Sequence, residues 1–349
     1  ASTLSGLFLA CSFPLPDFTV VAWFGLIPLV LVMQDRPFKS GFIAGLVFFA
    51  ATLYWVNIVM TTYGHLPLAV SFVLYLLLSA YLALYWGAAT WAACRLKEFR
   101  SYPYAMTLPV LWVAMEFLRE FLLTGFPWAS LGYSQQSWLP VIQSADLFGV
   151  YGLSYLIVLC NIAFAESLHA FWRKLPWHVP RKTVMIAVVL LLLNYAYGMW
   201  CLQQDLDGRT DSLHTALIQG NIPQDLKWQP GNQLATVKIY RGLSLRAKRA
   251  GAKDLIVWPE AAMPFYFQDG GLLADSVSGL PSETGTFLLF GSPAYQKDAA
   301  GLRYLNSAFL LSPSAMILGR SDKIHLVPFV EYVPLSGFLP FVNKLVVGI

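Results

Sequence analysis

The chain has 349 residues, of which 57% are hydrophobic and only 12% charged, and its mean hydropathy is +0.58. Such a composition excludes a single water-soluble globule with an ordinary surface and implies residence in a membrane. The formal net charge of +4 comes from short basic clusters between apolar runs rather than from one basic face, which speaks against nucleic acid as a partner.

A hydrocarbon core about 30 Å thick takes roughly 20 mostly apolar residues per helix. Runs of that kind lie near 18–33, 41–60, 66–94, 104–123, 146–168 and 183–201. The stretch 1–13 is apolar but short, lacks the basic start and small-residue cleavage site of a signal peptide, and reads as the second half of a span whose beginning is missing. Counting it predicts about seven spans. Lys and Arg collect in alternate connections: Arg36 and Lys39, then Arg95, Lys97 and Arg100, then Arg173, Lys174, Arg181 and Lys182. The connections near 14–17, 61–65 and 124–145 carry none, so the basic set is assigned to the cytoplasmic side and the chain after the last span to the opposite side.

Within the spans, Glu116 and Arg119 are spaced three apart and read as a local ion pair on one helix face, with substrate contact as the alternative. Trp128 and Trp138 fall in an outer connection, where aromatic belts are expected in any case. Cys11, Cys94, Cys160 and Cys201 each lie in or beside an apolar run without metal-ligand spacing. Neither a disulfide, nor a metal, nor a cofactor is expected.

Texture changes after Cys201, which places a domain boundary near 202: a transmembrane helical domain over 1–201 and a soluble domain over 202–349. Strands are predicted at 214–218, 255–258, 286–290 and 307–311, with a strand-like stretch at 315–318. A basic helix is predicted at 233–249 and a helical or irregular piece at 270–280. Buried strands interleaved with helices indicate an α/β layer architecture. Pro259 ends the second strand and leaves Glu260 at its tip, either as a general base or as the acid of a following helix N-terminus. Lys323 is either a cation that stabilises an oxyanion or an exposed charge at a strand end. Glu331 lies in an otherwise apolar stretch and needs a partner, for which Lys323 is the natural choice. Phe265, Tyr266 and Phe267 are candidates for core packing or for lining a lipid entry.

Several of these residues carry a resemblance. Leu123-Thr124-Gly125-Phe126-Pro127-Trp128 and Gly132-Tyr133-Ser134-Gln135 in the first half, and in the second half Gln219-Gly220-Asn221-Ile222-Pro223-Gln224 with Lys227-Trp228, form two parts of it. Val257-Trp258-Pro259-Glu260, then Lys323 with His325-Leu326-Val327-Pro328-Phe329, then Glu331-Tyr332-Val333-Pro334 complete it. Together they resemble the bacterial apolipoprotein N-acyltransferases, and the order of the blocks is that family's order. The resemblance implies a polytopic α-helical membrane domain followed by a nitrilase-like αββα domain, incomplete at its C-terminal end in this chain. It implies acyl transfer from a phospholipid, through a cysteine thioester, to the α-amino group of a diacylglyceryl-modified apolipoprotein. Glu260 matches the general base, Lys323 the oxyanion-stabilising cation and Glu331 the supporting acid. Trp228 matches a tryptophan near the family's lipid-binding mouth, and Trp128, within a matching string, is expected as a second substrate-binding residue.

The same resemblance puts the nucleophilic cysteine downstream of Glu331, past Ile349, so the chain is expected to be a fragment without its nucleophile and inactive alone. Val330 stands where the family usually has glycine. The implied setting is the bacterial inner membrane, with the soluble domain periplasmic and the protein a monomer. Two other function classes remain open at this point: a membrane-tethered carbon-nitrogen hydrolase acting on a soluble amide, and a non-catalytic scaffold or transporter.

Overall fold

The computed structural model describes residues 1–325 except 15, 63, 65, 177, 205–211, 253 and 299–300. The chain divides into two compact units, a helical one whose described residues end at 204 and a second one whose described residues begin at 212.

In the helical unit the elements are α1 (Ser2–Cys11), α2 (Ile27–Val32), α3 (Pro37–Thr52), α4 (Tyr54–Thr62), α5 (Leu68–Arg100), α6 (Tyr104–Phe121), α7 (Leu139–Ile142), α8 (Ala145–Trp172) and α9 (His178–Gln203). Prolines start several of them: Pro37, Pro28 and Pro140 occupy the first turn, where a missing N–H costs nothing. The 33-residue α5 ends with Lys97 and Arg100 in its last turn and with Ser101 in the left-handed region. Along α3, Gly41 and Gly45 let α5 approach closely. A Cβ on Gly41 would sit 2.5 Å from the Trp86 carbonyl oxygen, and one on Gly45 would sit 3.1 Å from Ala83 Cα. Small residues at such crossings are how helices pack where lipid gives no hydrophobic drive.

Among the described residues three helices are long and apolar enough to cross a membrane: 68–100, 145–172 and 180–203, or four if α3 and α4 are one bent span. The stretch expected as one span over 18–33 is not one helix. It is a 3-10 turn at Thr19–Trp23 followed by the short α2. The cause is a side chain inserted into the helical ladder: Asn161 of α8 accepts from Leu26 N–H at 2.7 Å and donates to the Ala22 carbonyl at 2.8 Å. Those two backbone groups would bond each other in a continuous helix. Ser5 similarly accepts from Leu29 N–H at 2.9 Å. Irregular backbone is tolerated here because it is enclosed by protein, Leu26 and Met33 being wholly buried.

The break between α3 and α4, a 46° bend, has a related origin. Tyr75 donates its hydroxyl to the Ala50 carbonyl, the group that Tyr54 N–H would otherwise take. The outer faces of α5 and α9 present Leu68, Phe72, Val73 and Leu77, and Met185, Val189, Leu192 and Leu193, all exposed, as a lipid solvent requires.

The second unit contains a five-stranded sheet in the order β1 (Thr215–Leu217), β2 (Leu255–Val257), β3 (Phe287–Asp298), β4 (Gly301–Leu311) and β5 (Ile317–Asp322). The first three strands run parallel, and β3, β4 and β5 run antiparallel. Helices α10 (Gln224–Lys227), α11 (Gln233–Arg249) and α12 (Leu272–Thr284) fall between the strands in sequence. The core is built on Ile256, Trp258, Phe290, Phe309 and Leu311 from the sheet, Val237 and Tyr240 from α11, and Val277 and Leu280 from α12. Strands β3 and β4 extend well past their predicted ends, because eleven residue pairs of one hairpin support each other from Leu288–Leu311 to Asp298–Gly301. The sequence shows only the part of that hairpin with large apolar side chains as an apolar run, and burial continues past it through Ser292 and Ala294.

Candidate active site

Glu260 is set by the end of β2. Trp258 continues the ladder with a 2.8 Å bond from its N–H to the Leu289 carbonyl. Its ring is buried against Tyr240 and Phe290, and its indole N–H donates to Ser244 Oγ at 2.9 Å. Pro259 has no N–H to continue the ladder, while its carbonyl accepts from Gly291 and Ala262. The chain then turns through Ala261 at φ +47°, a left-handed conformation that an alanine holds only when its surroundings impose it. Gly291 on β3 makes room for this turn: a Cβ there would lie 2.4 Å from Ala261 N and 2.8 Å from Glu260 Cα. A helix N-terminus after Glu260 is therefore not what forms; the residue projects from a strained turn.

The Glu260 carboxylate meets two donors on the same oxygen. Lys323 Nζ lies 3.0 Å from Oε1, and Asn306 Nδ2 donates to Oε1 at 2.6 Å. Lys323 follows directly on β5, and its N–H donates to the Asn306 carbonyl at 2.8 Å. Next to it, Ser307 Oγ and Arg320 Nε both donate to Asp322 Oδ1 at 2.6 Å. The hydrogen bond from Arg320 holds the Asp322 carboxyl below the ordinary aspartate range, with burial opposing and Ser307 adding to the effect. With the Glu260 side chain 64% exposed, its bond to Lys323 contributes about 0–1 kcal/mol to stability at most. Its importance is geometric: a carboxylate and a cation lie side by side at the strand ends.

A third charge belongs to the neighbourhood. Burial pushes the Lys227 ammonium below its usual value, and the negative charge of Glu260 acts in the opposite direction. Trp228, beside Lys227 at the end of α10, is exposed, with Lys227 Nζ 5.8 Å from its ring centroid. Of the aromatic trio after Glu260, Phe267 is core, packed edge-on against Phe290 and Phe309, and Tyr266 lies against Tyr295 and Tyr304. Glu331, expected as a partner for Lys323, lies outside the described residues. Lys227 entered the sequence reading only as part of the Lys227-Trp228 string, with no role, and Asn306 was not singled out; Asn306 stands one residue before the predicted strand, and only the pairing of β4 with β5 brings it to Lys323. No group of three or more His, Cys, Asp or Glu side chains that could hold a metal ion occurs among the described residues.

In the helical unit Trp128 is exposed and packs against Trp55 with ring centroids 5.3 Å apart. Glu116 and Arg119 do not pair with each other. Glu116 Oε1 accepts from Leu131 N–H at 2.8 Å and Trp112 Nε1 at 3.2 Å, while Arg119 Nη2 donates to Ser130 Oγ at 2.9 Å. Both side chains are buried, and each braces the segment that follows Trp128. Cys94 and Cys160 are buried, Cys11 and Cys201 half-buried, all four within this unit.

Comparison with known families agrees with both units. Residues 5–163 match the model of the apolipoprotein N-acyltransferase N-terminal domain, and residues 214–342 match that of the carbon-nitrogen hydrolases. An apolipoprotein N-acyltransferase of Geobacter metallireducens is 49% identical, over 100% of this chain and 67% of its own length. Those of Chromobacterium violaceum and Pasteurella multocida are 34% and 32% identical, each over 96% of this chain and 64% of the relative. The chain thus spans about two thirds of the length of the curated relatives it matches. With its two halves matching in order and near half of its residues shared with a relative along its whole length, the chain belongs to the apolipoprotein N-acyltransferase family.

Proposed function

We propose that the protein of which these residues form part N-acylates lipoproteins in two half-reactions. In the first, Glu260 takes the proton of a cysteine thiol, which the family resemblance puts downstream of Glu331, and the thiolate attacks a phospholipid ester carbonyl. Lys323 stabilises the tetrahedral oxyanion. Collapse expels the lysophospholipid alkoxide, which receives the proton, and leaves the acyl chain as a thioester. In the second half, the α-amino group of a diacylglyceryl-cysteine attacks the thioester, gives its proton to Glu260 and displaces the thiolate. An amide results, and the enzyme is regenerated.

The observation that carries this reading is the Glu260–Lys323 pair at 3.0 Å at the strand ends of a carbon-nitrogen hydrolase sheet, in a chain whose other half is apolar helices. Glu331 is assigned as the supporting acid, and Trp228 and Trp128, both exposed, as contacts for acyl chains. Residues 1–201 would form the membrane domain of a monomer in the bacterial inner membrane, and the domain that begins at 202 would face the periplasm. The substrates make a lipid setting necessary: donor and acceptor both carry acyl chains that leave a bilayer only at about 0.8 kcal/mol per methylene.

The test is a thioester trap. Intact protein is incubated with acyl-labelled phospholipid, and hydroxylamine-sensitive label on the protein is measured for the native form and for Glu260→Ala. Label on the native protein alone is expected. Absence of label from folded native protein would overturn the transferase reading in favour of hydrolysis of a soluble amide, the chemistry named for the wider domain family.

A further inference from the structure

We infer that Asn306 is a positioning residue of this site, which locks Glu260 and Lys323 in register and reserves one carboxylate oxygen for holding and the other for proton transfer. The inference rests on the reading of Glu260 as general base. Asn306 acts from two ends. Its side-chain Nδ2 donates to Glu260 Oε1 at 2.6 Å, and its backbone carbonyl accepts from Lys323 N–H at 2.8 Å. The register of β4 and β5 produces this arrangement, since Ser307 is paired with Asp322 and antiparallel pairing sets Asn306 beside Lys323.

A lysine ammonium on its flexible stem has three rotatable donors and does not by itself fix a carboxylate rotamer. A planar amide on a strand has a set direction, and only its NH₂ end can address a carboxylate. Lys323 Nζ and Asn306 Nδ2 both converge on Oε1. Oε2 accepts no hydrogen bond among the described residues. A carboxylate so held presents Oε2 in one orientation, as a base must in order to meet its proton within hydrogen-bond reach.

The prediction separates donor chemistry from shape. Asn306→Asp keeps the outline of the side chain but removes both N–H donors and sets a second carboxylate against Oε1, which repels the charged form of Glu260. Asn306→Ser loses volume but keeps a donor. Rates of thioester formation from labelled phospholipid are measured on intact protein for both variants, with KM for phospholipid and melting temperature, alongside Glu260→Gln.

We expect Asn306→Asp to lower kcat by about 10- to 100-fold, the loss of one hydrogen bond to a charged group, at unchanged KM and melting temperature. Asn306→Ser is expected to retain more activity than Asn306→Asp. Native kcat in Asn306→Asp, or a better rate there than in Asn306→Ser, would overturn the inference, since packing alone would then explain the residue. Should Asn306→Asp not fold, a kcat loss at constant KM in Asn306→Ser supports the inference and a native rate refutes it. Activity remaining in Glu260→Gln would instead remove the general-base reading itself.

Discussion

Glu260, Gly291 and Asp322 show three ways in which single residues support this site. Glu260→Gln keeps the bonds to its neighbours as far as shape allows, but removes a proton acceptor. The acyl-transfer rate should fall about 10²- to 10⁴-fold. Because the side chain is largely exposed, stability should change by less than about 0.5 kcal/mol, measured as thermal unfolding of the purified protein. Gly291→Ala should do the reverse. Its Cβ meets backbone at 2.4 Å, which cannot rotate away, so the expected cost is about 1–3 kcal/mol of stability, with activity lost as the Ala261 turn shifts.

Asp322 supplies a pH dependence. Its folded carboxyl titrates below the ordinary aspartate value, chiefly because Arg320 donates to it. The unfolded state therefore binds more protons in that window, and the stabilisation is complete above the ordinary value of about 3.9 and lost as pH falls through the folded value. Melting temperature should decline less steeply below about pH 4 in Asp322→Asn than in the native protein. Equal slopes would show that the Arg320 and Ser307 bonds do not stabilise the charged form. Glu260 and Lys323 could be singled out in the sequence because a carboxylate after a strand-ending proline and a lysine beside an apolar run are local patterns, which left the role of each open. Asn306 was not, because its role exists only through a pairing between strands.

At the scale of elements, the helical unit depends on buried polar side chains that replace backbone bonds. Asn161 satisfies Leu26 N–H and the Ala22 carbonyl together. Asn161→Leu leaves both groups without partners in a wholly buried place, at a cost of about 1–3 kcal/mol for each, which thermal stability in detergent would read. Glu116 and Arg119 brace the turn after Trp128 from a single helix. Glu116→Ala removes the acceptor of Leu131 N–H and Trp112 N–H in a buried place. About 1–3 kcal/mol of stability should be lost for each donor left without a partner. The apolar run over 18–33 predicted a helix from hydropathy alone, and hydropathy does not register a side chain arriving from 135 residues away. In the second unit the helix 233–249 was read with its observed bounds, since an amphipathic helix carries its own period. The β3–β4 hairpin was read short, since its outer half is held by cross-strand pairing rather than by burial.

For the whole molecule the charge pattern makes a directional prediction. With native cysteines replaced, a cysteine at Arg100 should react with an impermeant maleimide only from the cytoplasmic side, and one at Ser137 only from the opposite side. Reactivity of both from one side would overturn the assigned sidedness. Composition and the long apolar runs determined by themselves that this is a membrane protein, and ordered motifs determined its family, because lipid solvation and backbone chemistry act on residues close together in sequence. Tertiary structure decided the rest: that Glu116 and Arg119 each hold a turn instead of one another, that one apolar stretch is broken by Asn161, and that Glu260 meets Lys323 and Asn306. These contacts join residues from 11 to 139 positions apart, and their partners are chosen by packing and strand register, to which local pattern is blind.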